Sequence, residues 1–438
     1  MQWNAILPAE PRLQRRYEKM VHGHLHAVPK LAAALSALPD VNSAFATTQA
    51  AWRFLNNGRI KLPDLAVPLR QVGIERANAD HGVGFHMLVH DWCKLTFVYR
   101  KDDETRLTHE DDVGYELTTA LLVSAANGSP LAPMEMHLKT ADGVLSTRPG
   151  TRNVAHLEQV LPTMKAAASW GLNKPLLHVI DREADSVDHL RRWDAAGHLF
   201  LVRSDSRIVL WNGVSLQTDD IARQLRQHKK FECLGAALHQ GKSAQLWTAE
   251  TEVVLYLPAR KTVVDAQTGK KKRVTVQGPE LTLRLIVVQL RNGAGKVLAQ
   301  WHLLTNAPQS LASTEKLAYC YYWRWRIESF FKLLKSHGQQ LESWKQETGI
   351  AIARRLLVAA MACVIVWQLQ DNESPQAMEL KNILVRLSGR QTKRKTPHTA
   401  PALLAGLWAL LSMLELLNHV DLTHLKQLAE QIPYLNTA

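Results

Sequence analysis

Residues 321–335 set one acid, Glu328, among Tyr321, Arg324 and Lys335. Read as a helix at about 100° per residue, the four side chains fall within an arc of about 60°. Trp323, Ile327, Phe330 and Leu334 fall on the opposite face, the rhythm of a helix that buries its back. An acid held between cations and a phenol suits a site that binds a metal and a polyanion together. A solvated helix face with an i, i+4 Arg–Glu pair has the same spacing, so this stretch does not decide the matter by itself. Two more acids bear on it. Asp91 lies midway along an apolar run, and Asp181 closes the run Leu176-Leu177-His178-Val179-Ile180. An acid at the carboxyl end of a buried strand is costly without a partner, and in open α/β sheets that edge is where sites are built. Helix capping is the alternative for Asp181, and an outward-facing strand position is the alternative for Asp91. Three such carboxylates can hold two divalent ions about 4 Å apart for in-line attack on a phosphodiester. Mg²⁺ suits that task, with Mn²⁺ as its substitute. No Ser-His-Asp or Cys-His arrangement competes.

The elements around these acids follow an informative order. Residues 1–75 read as helical, with Arg12, Arg15, Arg16 and Lys19 near the start and a turn at Pro39-Asp40. His22, His24 and His26 alternate there, but i, i+2, i+4 side chains do not converge on a helix. Residues 84–99, 115–125 and 130–139 are β-rich runs, with Asn127-Gly128 as a turn. A helical pattern over 153–170, the strand ending at Asp181, a helix over 186–196 and a strand over 199–203 come next. Three meander strands followed by alternating helix and strand predict an α/β fold with an RNase H-like catalytic core. That core spans 76–206 and 297–370, interrupted by a β-rich insertion over 207–296. A helical domain over 371–438 closes the chain. Ser313 or Thr314 fits the N-cap of the helix bearing Glu328, and Gly338 fits its stop.

The chain has 438 residues with 46% apolar and 21% charged content, a folded protein of more than one domain. A net charge of +13 points to a polyanionic partner, most simply nucleic acid. The basic run 270–273 is either a phosphate-contacting loop or a solvated turn. Gly293-Ala294-Gly295-Lys296 lacks the spacing of a phosphate loop, so no nucleotide cofactor is expected. Four dispersed cysteines form no zinc or disulfide pattern and fit a reducing cytoplasm. The apolar runs 356–367 and 401–417 read as buried or self-associating helices rather than membrane spans.

The sequence resembles the insertion-sequence-four family of cut-and-paste bacterial transposases. Tyr321, Arg324, Glu328 and Lys335 match the family's Y-x2-R-x3-E-x6-K signature in full. Asp181-Arg182-Glu183-Ala184-Asp185 is similar to the motif at its second catalytic aspartate, and Asp91 stands where the first is expected. The resemblance implies that Asp91, Asp181 and Glu328 bind the catalytic metals and that Tyr321, Arg324 and Lys335 contact phosphates at the transposon end. It also places Arg203 near the DNA. Trp301 becomes the candidate platform for an extruded base, with a core aromatic as its alternative. Double-stranded DNA and a second copy of the chain are the implied partners, in the bacterial cytoplasm at the nucleoid. The N-terminal helical domain is implied to bind the transposon ends, and the C-terminal helices to hold a dimer. An RNase H-like nuclease or resolvase, or an inactive DNA-binding relative, is the rival reading.

Overall fold

The computed structural model describes residues 10–26, 41–80, 83–107, 111–264, 271–390 and 397–432. The expected turn at Pro39-Asp40 and the start of the 270–273 run lie outside them. Three helices come first: α1 (Pro11–His26), α2 (Val41–Leu55) and α3 (Leu62–Asn78). Next are strands β1 (His86–Leu95), β2 (Thr105–Arg106), β3 (Val113–Val123), β4 (Pro130–Thr140) and β5 (Gly143–Ser146). Helix α4 (His156–Ala167), β6 (Leu176–Ile180), α5 (Val187–Ala195) and β7 (Leu199–Ser204) alternate after the meander. Leu177 to Ile180 are all buried, as in a strand covered on both faces.

The stretch expected as an insertion contains β8 (Ile208–Trp211), β9 (Val214–Gln217), α6 (Thr218–Gln227), β10 (Glu232–His239) and β11 (Lys242–Leu255). It continues with β12 (Ala259–Val264), β13 (Lys271–Val276) and β14 (Leu281–Arg291), and β15 (Val297–Thr305) follows it. These strands are not a sheet apart. The 13-stranded central sheet runs β5-β4-β3-β1-β6-β7-β15-β14-β11-β8-β9, with β2 and β10 paired at its side. Only β12 and β13 form a separate hairpin. The reason is β15, which pairs antiparallel with β7 on one side and with β14 on the other. It carries the sheet's hydrogen bonds out into the added strands.

Helices α7 (Thr314–Trp323), α8 (Arg326–Leu334), α9 (Gly349–Asp371), α10 (Pro375–Leu387), α11 (Ala400–His419) and α12 (Leu422–Ala429) complete the chain. Helix α9 is buried along most of its length and is the spine on which α1, α3, β4 and α11 pack. Its Arg354 donates to the carbonyls of Leu55 and Ile60, occupying an acceptor that the end of α2 leaves open. Helices α1 and α11 meet there. The His26 ring lies 3.1 Å from the Glu415 carboxylate of α11, and the Trp408 indole donates to the His24 carbonyl at 3.2 Å. The described N-terminal and C-terminal helices thus share one helical layer.

Residues 321–335 are not the single helix that their periodicity predicts. Ser313 caps α7 by accepting from the Lys316 amide. The chain then tightens at Arg324 and Trp325, where the Arg324 amide reaches the Tyr321 carbonyl and the Ile327 amide reaches the Arg324 carbonyl. These i→i−3 bonds turn α8 away from α7. Two contacts hold the turn: Trp323 packs where a Cβ on Gly128 would lie 2.5 Å from it, and Arg326 donates to the Gly128 carbonyl at 2.9 Å. With φ near +76°, Gly128 supplies the Asn127-Gly128 turn expected there. Helix α8 ends at Leu334, four residues before Gly338. That glycine acts by close approach, since a Cβ there would meet the Leu333 carbonyl, which accepts from the Gln339 amide instead.

Candidate active site

Parallel pairing of β1 with β6 matches His90 to Ile180. Asp91, within β1, and Asp181, just past the end of β6, each follow a matched residue, so the register sets them side by side at the carboxyl edge of β6. Helix α8 brings Glu328 to the same edge. One guanidinium gathers all three. Arg324 lies 2.8 Å from Asp91 Oδ2, 2.8 Å from Glu328 Oε1 and 3.3 Å from Asp181 Oδ2. Its side chain is only 4% exposed. The Tyr321 hydroxyl donates to Asp181 Oδ1 at 3.0 Å, the Arg182 amide to the same oxygen at 2.7 Å, and Arg203 stands 3.9 Å away. Asp181 thereby also caps the short 3-10 turn Arg182–Ala184, so capping and membership of the cluster coexist in one residue.

The electrostatics follow from three acids sharing one buried cation. Burial raises Asp91, outweighing the Arg324 guanidinium and the Trp92 amide that favour its ionised form. Burial raises Glu328 in the same way against Arg324. Burial also works upward on Asp181, but Arg324, the Arg182 amide and the Tyr321 hydroxyl together take it below the usual carboxylate range. Tyr321 is pushed up by burial and by Asp181, so its hydroxyl remains a proton donor. Burial opposes the charge on Arg324, and the three acids more than offset it.

Two predicted members stand differently. Lys335 follows the end of α8 and turns from the acids, donating to the Lys94 carbonyl at 2.7 Å and pairing with Glu342 at 2.9 Å. The expected common face of Tyr321, Arg324, Glu328 and Lys335 therefore loses its fourth member. The reason is local: the Arg324–Trp325 turn and the Lys335 backbone, at ψ near −98°, depart from helical geometry. Trp301 on β15 is half-buried, with its ring 5.5 Å from that of Tyr321. It also lines a cavity of about 630 Å³ with Tyr322, Trp323 and Trp325, between the β10–β11 hairpin and the α7–α8 turn.

Sequence reasoning missed a clamp below the acids. His156, first residue of α4, lies 3.1 Å from both Glu116 on β3 and Glu183 in the 3-10 turn. Trp92 donates to Glu183 at 2.9 Å and stacks on His156 with centroids 4.0 Å apart. Its members come from four elements, so no spacing in the chain announces it.

Arg324 pairs with each of the three acids, and among the described residues no three His, Cys, Asp or Glu side chains lie close enough together to hold a metal. The donor set nonetheless fits a divalent cation. Three carboxylates face Arg324 and the more distant Arg203, which leaves an excess negative charge on oxygen ligands of the kind Mg²⁺ takes.

The chain belongs to the transposase DDE domain family, whose model matches residues 132–365, more than half its length. Asp181 and Glu328 lie within the matched residues, and Asp91 precedes them. The chain is a DNA transposase, of a family that works through divalent metal ions. Among solved structures it is similar to the piggyBac transposase in its synaptic complex with hairpin DNA. That likeness covers 98% of this chain and 79% of the other, at 10% identity and a TM-score of 0.37. Nothing among the curated proteins matches the chain.

Proposed function

We propose that this transposase is of the insertion-sequence-four type, cutting its element out of DNA at the Asp91–Asp181–Glu328 cluster and joining it elsewhere through a 3′-hydroxyl. The observation that carries this reading is the convergence of three carboxylates from β1, the end of β6 and α8 on Arg324. The strand order supports an RNase H-like core. Meander strands β4, β3 and β1 lie beside the parallel β6 and β7, with Asp91 inside β1 and Asp181 just past the end of β6.

Two Mg²⁺ ions held by the three acids would activate the attacking water or hydroxyl and stabilise the leaving oxygen. This chain's own groups do the rest. Arg324 shields the acids from one another until a phosphate enters, then exchanges carboxylate oxygens for phosphate oxygens in the same fork geometry. Tyr321 holds Asp181 in place by its hydroxyl bond, and Trp301 backs the Tyr321 ring. In the 630 Å³ cavity, Trp301 and Trp325 offer π-faces to a base unstacked at the cut end. Excision then proceeds through a hairpin, reopened before insertion. The N-terminal helices bind the inverted repeats, and a second copy of the chain completes the synaptic complex. The work is done in the cytoplasm on nucleoid DNA.

The test incubates the purified protein with DNA carrying the element's inverted repeats and Mg²⁺. Hairpin-ended fragments and joined products are expected. Cleavage without joining would make the protein a nuclease, and binding without cleavage an inactive relative.

A further inference from the structure

On its flank away from the acids, α8 walls a second cavity of about 440 Å³, closed by the end of α9 and the start of α11. Its floor is apolar, with Phe330 and Trp367 in it, and its walls include Arg326, Lys332, His337 and Arg390. One acid, Asp371, lines it, and that acid is engaged by Arg76 at 2.6 Å and by the Ser129 hydroxyl at 3.0 Å. Among the described residues, neither Lys332 nor Arg390 has a carboxylate within ion-pair distance, although Lys332 feels Glu328 one turn back. Arg326 uses one of its five donors on the Gly128 carbonyl. Cations are thus brought around an apolar floor with the local acid already neutralised.

Arg326 and Ser329 line both this cavity and the aromatic one beside Trp301. The two form one run along α8, tryptophans first and cations after. A track of aromatic faces and positive charge fits a nucleic-acid strand better than a small anion, which needs only one end of it. Resting on the transposase reading, we propose that the cationic cavity seats a sugar–phosphate segment of the DNA strand that leaves the active site along α8. It is a backbone contact separate from that of Tyr321 and Arg324.

The test compares the full chain with a Lys332→Gln/Arg390→Gln double variant and a control of equal charge, Lys165→Gln/Lys230→Gln. Affinity for an oligonucleotide duplex is measured across a range of salt. Loss of two phosphate contacts should flatten the log–log slope by about 1.8, at roughly 0.9 per phosphate on duplex DNA, while the control keeps the wild-type slope. An unchanged slope, or an equal change in the control, overturns the proposal. So does a thermal shift with inorganic phosphate that the cavity substitutions abolish while the DNA slope stays the same, since the cavity then serves a free anion. Cleavage is read separately. Intact cleavage with an unchanged slope removes only the cavity contact, whereas a flattened slope in a protein that never cuts removes only the transposition reading.

Discussion

Arg324 is the residue on which the site's charge balance turns. Among the described residues it is the cation that pairs with all three of Asp91, Asp181 and Glu328, and it is nearly inaccessible. Removing one partner of a buried ionic cluster leaves uncompensated charge and typically costs about 3–5 kcal/mol. Arg324→Ala is therefore expected to lower unfolding stability in urea by about 3 kcal/mol in metal-free buffer. Glu328→Gln should leave stability level or raise it, because burial disfavours the carboxylate it removes. Much of this geometry was legible at the residue scale. The i, i+4 spacing of Arg324 and Glu328 survives the turn between α7 and α8, and Asp181 stands at the strand end where its sequence places it. Lys335 was not legible, because a helical period says nothing of where the helix stops. Nor was the clamp at His156, whose partners lie far apart in the chain.

Among elements, the clamp ties β1, β3, α4 and the turn after β6 beneath the acids, and it gives a pH dependence with a definite sign. Burial works to lower His156, but Glu116 and Glu183 override it and raise its affinity for a proton. A raised histidine contributes stability fully below its unfolded value, near pH 6.5, and loses it as pH rises through the folded one. Glu116 is the reverse case. Its carboxyl is depressed despite burial, so its share is present above about pH 4.3 and lost in acid. The stability difference between wild type and His156→Gln should accordingly be widest between about pH 4.3 and pH 6.5 and shrink on the alkaline side. Urea titrations at a series of pH values measure it; a difference that grows with alkalinity contradicts the assignment. The break between α7 and α8 belongs to this scale as well. It escaped the hydrophobic period because part of its cause is Gly128, almost two hundred residues earlier, against which Trp323 packs.

At the scale of the whole molecule, the central sheet and the helical spine have opposite histories in the sequence. The meander, the alternating units and the β-rich stretch could be read from local patterns. The union of the added strands with the core sheet could not, since it depends on β15 pairing on both edges. Helices α9 and α11 are both long and apolar enough to cross a membrane, yet the most apolar window of α9 is 89% buried in the protein and that of α11 only 22%. Met413, Leu414 and Leu417 of α11, with Leu422 and Leu428 of α12, face water. An apolar strip of this kind is costly to leave exposed, and it underlies the proposed dimer. Sedimentation of the wild type should show a concentration-dependent dimer, and Leu414→Glu/Leu417→Glu should sediment as a monomer with an unchanged melting temperature. A variant that still dimerises would move the interface elsewhere.

The central claim is that Asp91, Asp181 and Glu328 form one metal-dependent cutting site. It is tested most directly by single-turnover cleavage of DNA bearing the element's ends in Mg²⁺, comparing wild type with Asp91→Asn, Asp181→Asn and Glu328→Gln. The prediction is that each substitution alone reduces the cleavage rate at least a thousandfold while end binding persists. Cleavage at the wild-type rate in any one of the three variants would contradict it.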